Sequence, residues 1–187
     1  MQSISTTHPL QILTELETAC KLHQARSTTQ PSEIPLWTGL GFRIAELSLC
    51  INSKFIEEVL DSNFQSNLSS VPGAKTWLRG LTSLRGQALP VIDLQQYLFG
   101  QNSLLTTASR LLVINYSNIK IGLIVNNTYG LKRFETKDIQ NPEKIKTLPL
   151  EVQKYIAQVF LSNKQTWIEF SIKNLESDPN FLNAARF

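Results

Sequence analysis

The spacing of apolar residues changes character at Trp37. Before it, residues 9–26, PLQILTELETACKLHQAR, place Ile12, Leu13, Leu16, Cys20 and His23 at helical intervals, which predicts an amphipathic helix. The stretch STTQPSEIP that follows is rich in Ser, Thr and Pro and reads as a linker. After Trp37 the period falls towards two. Phe42 and Ile44 share one parity, while Leu47, Leu49 and Ile51 share the other. A pair of strands joined by a tight turn near Ala45-Glu46 explains the switch, because one residue of slip moves side chains to the other face.

The segment SLRGQALPVIDL (83–94) places Arg-Gly between two apolar runs. WLRGLTSL predicts a strand and QALPVI its return. Gly86 supplies a positive φ, most simply in a type I turn closed by a left-handed glycine. Arg85 then stands at the hairpin tip with its guanidinium free to reach outward. Pro90 cannot donate to a ladder, so the return strand is expected at an edge or close to its end. Asp93 is a good N-cap for a short helix carrying Leu94, Tyr97 and Leu98, with Gly100 as its stop.

RLLVINY (110–116) is a continuous apolar run, expected to be buried on both sides. IKIGLIV alternates Ile119, Ile121, Leu123 and Val125. NTYGLKRF predicts a turn and a short strand. LPLEVQKYIAQVF has Pro149 near an N1 position and Val152, Ile156, Val159 and Phe160 at helical spacing, which predicts a helix. TWIEFSI predicts a last strand, and Asp178 with Pro179 starts a C-terminal helix. Many short strands between residues 37 and 172 point to a mainly β fold of small barrels with a few helices. The expected organisation is a helical extension and linker over 1–34, a β domain over 35–174 and a C-terminal helix over 175–187.

Composition adds limits more than direction. Of 187 residues, 42% are hydrophobic and 18% charged, an ordinary globular balance. The net charge of +3 admits acidic partners without demanding them, since no dense Lys/Arg block exists. Cys20 and Cys50 lie far apart, which suits a reducing cytoplasm better than a disulfide framework. No apolar run reaches membrane-spanning length and no signal peptide is read, so no membrane insertion is expected.

Chemistry is sparse. No phosphate-binding glycine loop or nucleophile elbow occurs. Cys20 and His23 have metal-ligand spacing but no second pair, so no metal and no cofactor is expected. Glu57, Glu58 and Asp93 are the candidates for acid–base work. Asp93 is already explained as a cap, and Glu57 and Glu58 point to opposite faces of an extended segment. An enzyme would need Glu58 and Asp93 to converge in a pocket. Arg85 is either a solvated turn residue or an anchor donating to a partner's carbonyls or carboxylates. A pI near 8.9 on an all-β pattern leaves a small basic barrel binding nucleic acid as the alternative.

VPGAKTWLRGLTSLRGQALPVIDLQQYLFG (71–100) resembles the central signature of CheW-like domains, with its Pro-Gly turn, Leu-Arg-Gly and Pro-x-x-Asp-Leu. KFIEEVL and IGLIVNNTYGLKRF resemble the segments on either side. The flanks HPLQILTELETACKLHQAR, WTGLGFRI and WIEFSIKNLESDPNFLNAA are similar to the branch of the family found in type IV pilus chemosensory systems. The resemblance implies two small intertwined SH3-like β-barrels and a non-enzymatic cytoplasmic adaptor. Such an adaptor couples the cytoplasmic tip of a methyl-accepting chemoreceptor to the regulatory domain of a CheA-type histidine kinase, here in control of pili and twitching motility. By motif, Ile56, Glu58, Gly80, Arg85 and Gly86 match positions that engage the receptor or shape that surface. An apolar groove between the barrels is the expected seat for a helical tip. Two positions depart from the pattern: Asn126 stands where the family has an acidic residue, and the hairpin at Ala45-Glu46 lacks the usual glycine.

Overall fold

A computed structural model describes residues 37–117, 119–141 and 148–184. The helix and linker expected over residues 1–34, with Cys20 and His23, lie outside the described residues. Strands β1 (Trp37–Ile44) and β2 (Leu47–Asn52) form the hairpin expected at Ala45-Glu46. After them come β3 (Ile56–Leu60), β4 (Leu78–Leu84), β5 (Gln87–Asp93) and helix α1 (Leu94–Phe99). Next are β6 (Arg110–Tyr116), β7 (Ile119–Val125), β8 (Asn127–Phe134) and the short β9 (Ile139–Gln140). The chain continues through α2 (Leu150–Gln153), β10 (Ile156–Ser162), β11 (Gln165–Phe170), α3 (Ile172–Glu176) and α4 (Pro179–Leu182).

The strands sort into two sheets, in the orders β8-β1-β2-β11-β10-β9 and β3-β6-β7-β5-β4. The first is therefore built from both ends of the domain and the second from its middle. Each sheet has one parallel pairing, β11 with β2 and β5 with β7, where a strand returns after a crossover. This is the mainly β, two-barrel architecture that the sequence led us to expect.

Among the described residues, three apolar cores follow from strand alternation. Leu112 and Ile114 of β6 join Phe42, Ile44, Leu49 and Ile51 in a core shared by the two sheets. The intervening Leu111 and Val113 point the other way, into a second core with Phe64, Leu89 and Val91. From Leu111 to Ile114 β6 thus needs an apolar residue at every position, which accounts for its unbroken run. Cys50, Phe134, Phe160 and Trp167 form the third core, inside the first sheet. The Cys50 thiol is free and buried, and burial together with Glu169 pushes its pKa far above the ordinary thiol range.

Several expectations need correction. The helix read through Val152, Ile156, Val159 and Phe160 ends at Gln153, with Pro149 as its N-cap, and β10 begins at Ile156. Val159 and Phe160 are paired on both sides, with Ile168 and Trp167 of β11 and with Gln140 and Ile139 of β9. Phe160 also stacks on Phe134 at 4.3 Å between ring centroids. Their β preference and these partners outweigh the helical spacing. β5 is not an edge strand: it lies between β4 and β7. Its pairing with β7 begins at Val91, one residue past Pro90, so the missing donor falls on a stretch paired only with β4. Ile172, read as strand, opens α3 under the Ser171 cap.

The C-terminal elements dock through aromatic stacking and one polar cluster. Phe181 stacks on Trp77 at 5.5 Å and meets Tyr97 edge-on. Asp178 caps α4 through Asn180 N–H, and its Oδ2 accepts from Lys154 Nζ at 2.8 Å, Tyr97 Oη at 2.9 Å and Tyr155 Oη. Burial alone would raise the Asp178 carboxyl, but these donors outweigh it and hold it well below the usual carboxylate range.

Candidate functional site

β4 and β5 are joined by a two-residue loop, since Leu84 pairs with Gln87. Both loop residues have positive φ, Arg85 at 52° and Gly86 at 78°. This is the signature of a type I′ turn, whose twist matches that of the flanking strands, and it replaces the type I turn expected from the sequence. Arg85 occupies the left-handed region without being glycine, at a cost of about 1–2 kcal/mol. The two-stranded register on either side holds it there.

Gly80 contributes geometry. It sits at a register shift in β4 with φ of 147°, and an added Cβ would lie 2.3 Å from the carbonyl oxygen of Ser69. That carbonyl accepts from Leu81 N–H at 2.8 Å, and Ser69 N–H donates to Leu81 O at the same distance. The segment leaving β3 is thereby strapped along β4. Ile56, the first residue of β3, is half-buried and packs against the shared core.

The guanidinium of Arg85 is not free. Its Nη2 donates to Glu58 Oε2 at 2.9 Å, although the side chain stays 70% exposed. β3 and β4 are opposite edges of their sheet, so this ion pair, with the Ser69–Leu81 bridge, marks the sheet curling until its edges approach. A second register shift, between Ile56 and Glu58, overturns the expectation that Glu57 and Glu58 serve opposite faces. Glu57 Oε1 lies 4.0 Å from Arg85 Nη1 and 2.9 Å from Lys120 Nζ, and Glu57 Oε2 accepts from Asn115 Nδ2 at 3.2 Å. The bond to Lys120 is the main reason the Glu57 carboxyl sits below its ordinary pKa.

The structure therefore brings Glu58, Arg85 and Gly86 together, keeps Ile56 at the base of the same strand and gives Gly80 a supporting place. Sequence reading missed Asn115 and Lys120, and it named Glu57 only as an acid–base candidate. Only the bulge brings Glu57 round, and a bulge at a non-glycine residue leaves little trace in the alternation.

Asp93 is elsewhere. It is fully buried, and its carboxylate accepts from Gln96 N–H at 3.0 Å, Ser103 N–H at 3.0 Å and Ser103 Oγ at 2.6 Å. Glu58 and Asp93 do not converge, and Asp93 is the cap that the sequence predicted. Two surface hollows, of about 390 Å³ beside Arg43 and Asn126 and about 510 Å³ beside Leu131 and Trp167, are lined without Arg85. Neither hollow reaches the Arg85 tip. Among the described residues no group of three or more His, Cys, Asp or Glu side chains is placed to hold a metal, and no helix is long and apolar enough to cross a membrane.

The two departures from the family pattern meet. Ala45 takes the glycine-like conformation with φ of 50°, and its N–H donates to Asn126 Oδ1 at 2.8 Å. Asn126 N–H in turn donates to Arg43 O at 2.9 Å. The amide of Asn126 braces the turn that has no glycine.

Two sheets with a core between them, one of them curled until its edges approach, carry the Arg85 hairpin. The family model for the CheW-like domain matches residues 38–178, and the chain belongs to this family. Among curated relatives, it is 29% identical over 177 residues to Protein PilI of Pseudomonas aeruginosa, covering 95% of this chain and 96% of that protein. It is 30% identical over 101 residues to Protein FrzA of Myxococcus xanthus, covering 54% and 61% of the two chains. Chemotaxis protein CheW of Bacillus subtilis is 29% identical over 90 residues, 47% of this chain and 58% of that one. The crystal structure of the scaffolding protein TtCheW from Thermoanaerobacter tengcongensis shares the fold, with a TM-score of 0.64 at 21% identity over 78% of this chain and 95% of that one.

Proposed function

We propose that this protein is a non-enzymatic adaptor in a chemosensory pathway controlling type IV pili and twitching motility. It joins the cytoplasmic tip of a methyl-accepting chemoreceptor to the regulatory domain of a CheA-type histidine kinase, working in the cytoplasm at receptor arrays. The proposal includes no nucleic-acid partner, no cofactor and no insertion into the membrane. The observation that carries it is the likeness to PilI along 95% of the chain. The hairpin supports it physically. A short I′ turn fixes the backbone under Arg85, so little loop entropy is lost when a partner docks. The guanidinium keeps most of its surface open while already oriented by Glu58. Signalling contacts are often small and individually weak, and repetition in an array supplies the avidity.

Co-purification tests the proposal. The protein is expected to capture both a receptor cytoplasmic fragment and the kinase, and to bring the two into one complex. Capture of neither, with salt-dependent retention of RNA or single-stranded DNA, would instead favour the basic-barrel alternative.

A further inference from the structure

Lys120 and Asn115 face each other across the β6–β7 pair, and Glu57, turned by the bulge in β3, lies over both. Glu57 Oε1 therefore has two cations within reach, Lys120 Nζ at 2.9 Å and Arg85 Nη1 at 4.0 Å. The nearer one holds it, and Asn115 holds the other oxygen at 3.2 Å. Arg85 is left with one close carboxylate, that of Glu58. A guanidinium has five N–H donors, so most of its capacity remains for an incoming group.

We infer that Lys120 is a positioning residue for the Arg85 surface: by holding Glu57 back, it keeps a second carboxylate off the guanidinium and leaves it open to an acidic group of the partner. The inference rests on the reading of Arg85 as partner-facing. Arg85, Lys120, Glu57 and Glu58 sum to zero charge. Without the lysine charge, Glu57 has a single cation left, and closing the 4.0 Å gap needs only a side-chain rotation. Arg85 would then be clasped by two carboxylates inside a patch of net charge −1, and a partner's carboxylate would meet repulsion.

The test uses the full chain in four variants, Lys120→Met, Lys120→Arg, Lys120→Met/Glu57→Gln and Arg85→Glu. The readouts are capture of the receptor cytoplasmic fragment, capture of the kinase regulatory domain, and the side-chain ¹⁵N–¹H signals of Arg85. Lys120→Met is expected to weaken capture of the Arg85-dependent partner by about two- to fivefold, the size of one exposed ion pair. It is also expected to slow rotation and solvent exchange of the Arg85 Nη groups. Lys120→Arg and the double variant are expected to restore both readouts, because one re-holds Glu57 and the other removes the carboxylate. Unchanged Arg85 signals in Lys120→Met, or a double variant as weak as the single, overturn the inference. If Arg85→Glu leaves both captures intact, the partner-facing reading of Arg85 fails instead, and the Arg85 signals still decide whether Lys120 restrains Glu57.

Discussion

Arg85 Nη2 and Glu58 Oε2 lie 2.9 Å apart although 27 residues separate them in the chain. The bond ties the tip of the β4–β5 hairpin to β3 at the other edge of the same sheet. Both side chains keep contact with water, so the pair contributes under about 1 kcal/mol to stability. Arg85→Glu is therefore expected to keep the fold, by thermal melting and circular dichroism, while capture of the receptor fragment or the kinase falls by about 1–3 kcal/mol. Capture undiminished in the folded variant would remove Arg85 from the interface.

Gly80 has a different role, and its loss should look different. Gly80→Ala places a methyl group against the Ser69 carbonyl in a backbone conformation that L side chains avoid. The expected cost is about 2 kcal/mol or more, read as a lower denaturant midpoint with faster exchange of the Leu81 amide. A midpoint unchanged from the parent would mean that Ser69 yields freely and that the strap has little strength.

At the first hairpin, Ala45 and Asn126 make a paired prediction. Ala45→Gly is expected to stabilise by up to about 1 kcal/mol, by removing the left-handed penalty at φ of 50°. Asn126→Ala is expected to cost about 1–2 kcal/mol by leaving the Ala45 N–H without its acceptor. Asn126→Asp keeps an acceptor oxygen and is expected to be tolerated. Chemical denaturation of the three variants checks all of this, and an Asn126→Ala as stable as the parent would show that the amide braces nothing.

Asp178 sets a pH window. Its folded pKa lies well below the unfolded value of about 3.9, so its contribution is complete above that value, shrinks as pH falls below it and is lost only as pH falls through the folded pKa. Asp178→Asn is expected to be clearly less stable than the parent at pH 7, with the gap beginning to narrow below about pH 4. Denaturant midpoints at pH 7, 5 and 3 measure it. A gap that stays constant across this range would mean that the carboxylate's charge is not what Lys154, Tyr97 and Tyr155 recognise.

Much of the fold was legible because its signals are local. The Asp93 cap, the left-handed stop at Gly100 and the double-sided burial of β6 each follow from a few adjacent residues. β10 was misread because Val152, Ile156, Val159 and Phe160 satisfy a helical period, and what decides the matter is pairing with β9 and β11, the latter supplied by residues not yet met along the chain. The same holds at the candidate site. Arg85 and Gly86 announce a turn, and the family pattern points to Glu58. The capture of Arg85 by Glu58 and of Glu57 by Lys120 depends on a bulge and on a curled sheet, neither of which is written in any short stretch.

The division of strands between the sheets has a consequence for biosynthesis. Every strand of the middle sheet lies between Ile56 and Val125, so it can close as soon as that stretch has left the ribosome. The outer sheet must wait, because β2 finds its parallel neighbour only when Gln165–Phe170 emerges. Until then β1 and β2 have each other, β8 on the far side of β1, and the finished middle sheet to rest on, and the Arg85 tip stands formed before the molecule is whole.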